Sequence, residues 1–210
     1  HRLGNFRRIP QPGQRDLPWQ LPHMPDTLIE DHFLTGGSSP DGSAGIPSMA
    51  FNFAPTVGGF PNLITDAQEQ RAREIFEMLG QYMGISFYES AAGGIQVATG
   101  DLQALGMESR PGGVAGLGGG GIALMDFAED WGSSPFGGSW FRVAMHEIMH
   151  NLGFGHSYDL PPGTIMGSSE DIENLTGGAE PFFPGDHDVT HGLHMYRPDS
   201  MDIDLYRFEV

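Results

Sequence analysis

The stretch HEIMHNLGFGH, residues 146–156, is the most informative part of the 210-residue chain. His146 and His150 are four residues apart, and on a helix this spacing puts both imidazoles on one face, one turn apart. Glu147 follows the first histidine and therefore lies beside the pair. Gly153 is a predicted helix stop, because glycine adopts the left-handed conformation without a Cβ penalty.

His156 comes directly after this stop and supplies a third imidazole. Three histidine ligands with a fourth position left to water describe a catalytic zinc site, whereas a structural site closes that position with protein. We therefore predict a catalytic zinc ion bound by His146, His150 and His156, with Glu147 as the general base. The alternative is a helix with histidines on a solvated face, which gives no reason for Gly153 and His156 at these positions.

A methionine in a glycine-flanked turn follows the three histidines. The turn is GTIMG, residues 163–167, and Met166 lies ten residues past His156. The histidine pattern and this turn together resemble the signature of the metzincins, in which the methionine lies beneath the zinc as an apolar floor. By this resemblance Met166 is the floor residue. Ser157 directly follows the third histidine, and no tyrosine stands two residues past Met166. In both features the sequence resembles the matrixin branch of the metzincins.

The resemblance runs from about residue 46 to 197 and implies an α+β fold. A matrixin-like domain has a twisted mixed sheet of about five strands with three helices and zinc in the cleft. The hydrophobic periodicity predicts the same order, with a helix of about 19 residues that begins after Thr65 and parallel pairing across it. Strands are predicted at 48–53, 85–88, 95–99, 114–117 and 122–125, and 55–61 is predicted to be a loop. The zinc helix is predicted to start at Ser139 as N-cap, and a last helix at 187–196.

The composition divides the chain into three parts. Residues 1–45 are rich in Pro, Gly and Ser and predict an irregular arm that wraps the domain or is partly disordered. Residues 46–198 are the expected matrixin-like catalytic domain. Residues 199–210 alternate in polarity and are expected to begin a following β domain or to form a tail.

A second metal is suggested by residues 126–131, DFAEDW. This segment resembles the calcium-binding segment that follows the last strand in matrixins, which assigns calcium to Asp126 and Glu129. The alternative is a solvated acidic loop. No histidine occurs between His32 and His146, so the second, structural zinc of animal matrixins has no imidazole ligands here.

Other candidate site residues lie on both sides of the zinc stretch. An extended peptide is expected to add as a strand along Val114, Ala115, Gly116 and Leu117. Phe182 and Phe183 are candidate walls of the pocket for the side chain after the cleaved bond. His187, His191 and His194 have metal-like helical spacing, but a surface face or adventitious metal binding is the favoured interpretation.

The charge and composition exclude several functions. The net charge is −17 and all ten basic residues are arginine, so the surface repels nucleic-acid phosphates. It favours solubility, calcium or cationic substrates, or it is an adaptation to a salty medium. The lack of cysteine excludes disulfides and thiol chemistry, and the lack of lysine excludes a P-loop at Gly118–Gly121. No apolar stretch approaches the length of a membrane span.

The sequence therefore predicts a zinc metalloendopeptidase that cleaves protein or peptide substrates. By the same resemblance it is expected to be secreted and monomeric. The alternative is a metzincin-like module that holds zinc for adhesion or substrate capture within a larger extracellular protein. An intact Glu147 argues against the module, because a pure binder has no chemical need for a base there.

Overall fold

The computed structural model describes residues 47–132, 138–156, 165–166, 184–185, 188–189, 192 and 196. The strands are β1 (Ser48–Asn52), β2 (Thr56–Val57), β3 (Phe60–Pro61), β4 (Ser86–Glu89), β5 (Ile95–Gly100), β6 (Gly116–Gly119) and β7 (Ile122–Asp126). The helices are α1 (Asp66–Met83) and α2 (Gly138–Asn151), with a 3₁₀ turn at Leu102–Leu105. None of the helices described is long and apolar enough to cross a membrane. The predicted arm (1–45) and tail (199–210) lie outside these residues.

Five strands form one mixed sheet in the order β4-β1-β5-β7-β6. Strand β1 runs parallel to β4 and β5, β5 runs parallel to β7, and only the edge strand β6 is antiparallel to its neighbour. Helix α1 connects the parallel pair β1 and β4, as a parallel connection requires. The predicted mixed five-stranded sheet is confirmed, and β6 is left with one open side among the described strands.

Helix α1 begins and ends where the sequence predicts. The Thr65 hydroxyl accepts the backbone N–H of Gln68 at 3.2 Å, and the Gln68 side chain accepts the backbone N–H of Thr65 at 3.0 Å. This reciprocal pair satisfies two amides that have no partner inside the helix. Gly84 ends the helix in the left-handed conformation with a φ of 71°. The face at helical spacing is buried: Ala72, Ile75, Phe76, Leu79 and Met83.

Apolar side chains fill both faces of the sheet. Successive residues of a strand point to opposite faces, so Val97 lies in the main core under the helices and Ala98 in a smaller cluster on the other face. The main core is centred on Phe51 and Phe76, whose rings stack with centroids 4.1 Å apart. The outer cluster is built around Leu124, which is fully buried.

Helix α2, which carries the histidine pair, is anchored at its start. Trp140 is buried, and its Nε1–H donates to the Thr99 hydroxyl at 2.9 Å. That hydroxyl in turn donates to the Gln68 side chain at 3.2 Å. The start of α2 is thereby tied to the end of β5 and the start of α1, and the helix packs against β5, β6 and β7.

The predicted loop at 55–61 is wrong, because the chain forms the hairpin β2–β3 there. Gly58 and Gly59 both have positive φ, 55° and 86°, which suits a two-residue hairpin turn. Strands of two residues are too short to show a period, so the pattern missed them. The hairpin lies close to the 3₁₀ turn, because a Cβ at Gly58 would be 2.6 Å from the Ala104 carbonyl oxygen. Its Val57 side chain belongs to the outer cluster.

Two further elements start more than one residue from the predicted position. Strand β6 begins at Gly116 and not at Val114, because pairing with β7 fixes its register in a glycine-rich stretch that has no period of its own. Helix α2 begins at Gly138, so Ser139 lies inside its first turn and is not its N-cap. The φ of Gly138 is 53°, so the chain enters the helix through a conformation that favours glycine.

Candidate metal centre

Three imidazoles converge at the end of α2. His146 and His150 lie one turn apart with ring centroids separated by 4.7 Å. The Nε2 atom of His156 lies 3.2 Å from the Nε2 of His146 and 3.2 Å from the Nε2 of His150. The structure therefore brings together the three histidines that the sequence predicted as ligands.

The turn after α2 explains how His156 reaches the other two. Gly153 donates its N–H to the His150 carbonyl and Phe154 donates to the Met149 carbonyl, both at 3.2 Å. This pair of bonds is the Schellman pattern, which needs a left-handed residue at its centre. Gly153 meets that need with a φ of 102°, so the predicted helix stop is confirmed.

Backbone carbonyls orient two of the rings. The Nδ1 of His146 lies 2.7 Å from the carbonyl oxygen of Ile165, and the Nδ1 of His150 lies 2.8 Å from that of Phe154. A carbonyl only accepts, so Nδ1 carries the proton in both rings. In the neutral imidazole the other nitrogen then has a bare lone pair. Both Nε2 lone pairs are therefore directed towards the position shared with His156.

The charge state of the rings suits a cation. Burial, and to a smaller extent the neighbouring His150, lower the pKa of His146 to about 3. Burial also lowers the pKa values of His150 and His156. Metal ligation needs neutral imidazole. Tetrahedral zinc with Zn–N bonds of about 2.0–2.1 Å separates its ligand atoms by about 3.3–3.4 Å, so the observed 3.2 Å spacings fit zinc.

Glu147 lies beside the triad against the edge strand. It is only 6% exposed, and burial raises the pKa of its carboxyl to about 8. A Cβ at Gly118 would lie 2.4 Å from the Glu147 carbonyl oxygen, and a Cβ at Gly116 would lie 2.9 Å from its Oε1. Two glycines on one face of β6 therefore let this strand approach the carboxylate closely.

Asp188, which follows the three histidines in the chain, supports the candidate metal centre by binding backbone N–H groups. Its Oδ2 accepts the N–H groups of Ile165 and Gly185, each at 2.8 Å. Burial raises the pKa of Asp188 to about 7, although the backbone N–H groups, including that of Met166, act in the opposite direction. Asp188 thus holds the residue whose carbonyl orients His146. No sequence pattern predicts this role, because a single acid after His187 has no spacing to interpret.

Met166 is fully buried in the main core, the same cluster that contains Met149 from α2. Tyr196 is buried as well, and its hydroxyl donates to the Leu152 carbonyl just after α2. Ile165 is described as well, whereas Gly163, Thr164 and Gly167 of the predicted turn lie outside the described part. The role of Met166 as floor of the site stays a prediction.

The acidic pair predicted to bind calcium lies on one loop. Asp126 is fully buried and accepts the N–H of Arg110 at 3.1 Å and that of Ala128 at 3.0 Å. Glu129 accepts the N–H of Gly113 at 3.1 Å. Among the described residues, no further acid or histidine completes a three-ligand cluster with this pair.

The predicted substrate-binding residues lie at the open edge of the sheet. Val114 is 39% exposed, and the Ala115 carbonyl accepts the N–H of Asp126 at 2.9 Å. Gly116 and Leu117 are the first two residues of β6. The remaining predicted site residues fall outside the described part of the chain: Phe182, Phe183, His187, His191 and His194.

A family comparison agrees with this geometry. The model of the Matrixin peptidase family matches residues 72–172, just under half of the chain. Over this range the chain is similar to the matrixins, which supports a matrixin-like metzincin domain. The matched range contains the three histidines, Glu147 and Met166, so peptidase chemistry and zinc are supported for this matrixin-like domain.

His150→Ala should abolish stoichiometric zinc binding, because two imidazoles hold zinc poorly. The purified wild type should carry about one zinc per chain by atomic absorption. Zinc at 100 times its dissociation constant should stabilise the wild type by about 2.7 kcal/mol, seen as a raised melting temperature. His32→Ala, far from the triad in sequence, is the control and should keep the zinc. A His150→Ala protein with one tightly bound zinc would contradict the assignment.

Proposed function

We propose that this matrixin-like protein is a secreted zinc-dependent endopeptidase that hydrolyses peptide bonds within extended protein substrates. One observation carries the proposal: Glu147, a buried carboxylate, directly follows one of three converging imidazoles on the same helix. A binding site for zinc alone has no use for a proton acceptor there, whereas hydrolysis requires one.

The division of labour follows from the residues. Zinc held by His146, His150 and His156 would lower the pKa of a water molecule and polarise the scissile carbonyl. Glu147 accepts the proton of the attacking water and returns it to the leaving amine. Its buried position suits both steps, because a carboxyl with a raised pKa both takes and gives a proton near neutral pH.

The substrate is proposed to add to the open side of β6. An extended peptide at this edge pairs through backbone hydrogen bonds, which makes binding tolerant of sequence, and side-chain pockets supply specificity. Gly116 and Gly118 bring this edge against Glu147. Phe182 and Phe183 are proposed walls of the pocket, and Met166 is the proposed apolar floor.

The wider assignments are proposals of the same kind. We assign the catalytic domain to residues 46–198 and expect it to act as a monomer. Its proposed substrates are proteins or peptides, and nucleic acid is not a proposed partner. The competing hypothesis is a zinc-holding adhesion or capture module. The two differ in one readout, cleavage of a quenched-fluorescence peptide library with and without chelator.

Glu147→Gln should lower kcat on such a peptide by roughly 10²–10⁴-fold, the usual contribution of a general base. Zinc content should stay near one per chain, because the carboxylate is not a ligand in this account. Glu77→Gln, an exposed site on α1, is the control and should leave kcat unchanged. Full activity of Glu147→Gln, or loss of zinc from it, would refute the role proposed.

Calcium is proposed to bind at Asp126 and Glu129. Millimolar calcium should raise the melting temperature of the wild type, because a ligand of the native state alone stabilises by mass action. Asp126→Asn should abolish this increase. Asp130→Asn, in the same loop, is the control and should retain it. An unchanged calcium response in Asp126→Asn would remove this loop from consideration.

A further inference from the structure

Asn151, the last residue of α2, joins the zinc helix to the hairpin that contains the substrate edge. Its Oδ1 accepts the N–H of Gly121 at 2.8 Å. Its Nδ2 donates to the carbonyls of Ile122, at 2.8 Å, and Glu147, at 2.9 Å. Asn151 is 8% exposed, so these bonds are screened from water. One side chain thus contacts both the β6–β7 turn and the backbone of the proposed base.

The bonding pattern specifies asparagine. One acceptor and two donors must leave the same planar group at this length. Aspartate would keep the bond from Gly121 but would place a carboxylate oxygen against two carbonyl oxygens. Alanine would lose all three bonds and leave buried backbone groups unpaired. Asparagine is therefore required here by its bonds to Gly121 and Ile122 of the β6–β7 hairpin, and not by its place at the end of α2.

The hairpin is the element whose position matters for the site. Strand β6 pairs with β7, and Gly118 on β6 faces Glu147 with no side chain between them. The turn Gly119–Gly121 contains three successive glycines with positive φ, which confer little stiffness of their own. The Asn151 bonds fix the distance between β6 and α2 at this point.

We propose that Asn151 is a positioning residue for peptide hydrolysis, which holds edge strand β6 at a fixed distance from Glu147 so that a strand-paired peptide meets the base. This inference rests on the proposed endopeptidase function. It adds a residue that touches neither zinc nor substrate. It concerns the end of α2, whereas the histidines are held by the carbonyls of Ile165 and Phe154.

The test compares Asn151→Asp with Asn62→Asp. Asn62 is the matched control, because its amide also bridges three segments: it accepts from Ile64 and Thr99 and donates to Ala54 and Val97, away from β6. We expect kcat/KM on a quenched peptide to fall at least tenfold in Asn151→Asp, mainly through kcat, and to stay within twofold of wild type in Asn62→Asp. Zinc affinity should be within twofold of wild type in both.

A second readout does not depend on turnover. Amide hydrogen exchange of Gly121 should become faster in Asn151→Ala, which lacks the acceptor of this N–H, and stay at the wild-type rate in Asn62→Ala. If Asn151→Asp does not fold, Gly118→Ala replaces it, because its Cβ would push β6 away from the Glu147 carbonyl. Gly118→Ala should show the same loss of kcat/KM with unchanged zinc affinity, and wild-type kcat/KM in that variant would overturn the proposal.

The two proposals fail in different ways. An active wild type in which the Asn151 and Asn62 variants lose kcat/KM equally would overturn the role of Asn151 alone. Unchanged Gly121 exchange in Asn151→Ala would do the same. A zinc-loaded wild type that cleaves no peptide would overturn the endopeptidase function and this inference with it.

Discussion

The constraint on which the site depends is the convergence of imidazole lone pairs. The Nδ1–H groups of His146 and His150 donate hydrogen bonds to backbone carbonyls, so the Nε2 atom of each ring is unprotonated. Each of these Nε2 atoms lies 3.2 Å from the Nε2 of His156. Lone pairs at this separation repel one another unless a cation lies between them. The backbone therefore imposes an arrangement that a divalent metal stabilises.

The rest of the domain keeps that point fixed. The start of α2 is held by Trp140 and Thr99, and its end by the Schellman turn at Gly153. Asp188 binds the backbone of Ile165, whose carbonyl orients His146. The sheet lies behind the helix, and among the described strands β6 borders Glu147 and has one open side. The proposed metal ligands, base and substrate edge thus belong to elements that pack directly on one another.

Much of this arrangement follows from the sequence, because its signals are local. The His146 and His150 spacing, the Gly153 stop and the Thr65 cap are each decided within a few residues. The hydrogen bond between Asn151 and Gly121 and that between Asp188 and Ile165 were not predicted. Each joins segments more than 20 residues apart, and a polar residue at a helix end carries no mark of its distant partner. The hairpin at residues 56–61 was missed because its strands have two residues each.

Apolar packing covers the outer face of the sheet. Leu124 lies at the centre of the cluster, with Val57 from the hairpin and Leu102 from the 3₁₀ turn against it. The sequence pattern did not predict the whole of this cover, because the hairpin β2–β3 that contributes to it was expected to be a loop.

The central claim is that His146, His150 and His156 are the zinc ligands, and X-ray absorption spectroscopy of the zinc-loaded protein tests it most directly. The account predicts three imidazole nitrogens and one oxygen ligand from water, with Zn–N distances of about 2.0–2.1 Å. A six-coordinate oxygen shell, or a shell with a single imidazole, would contradict it.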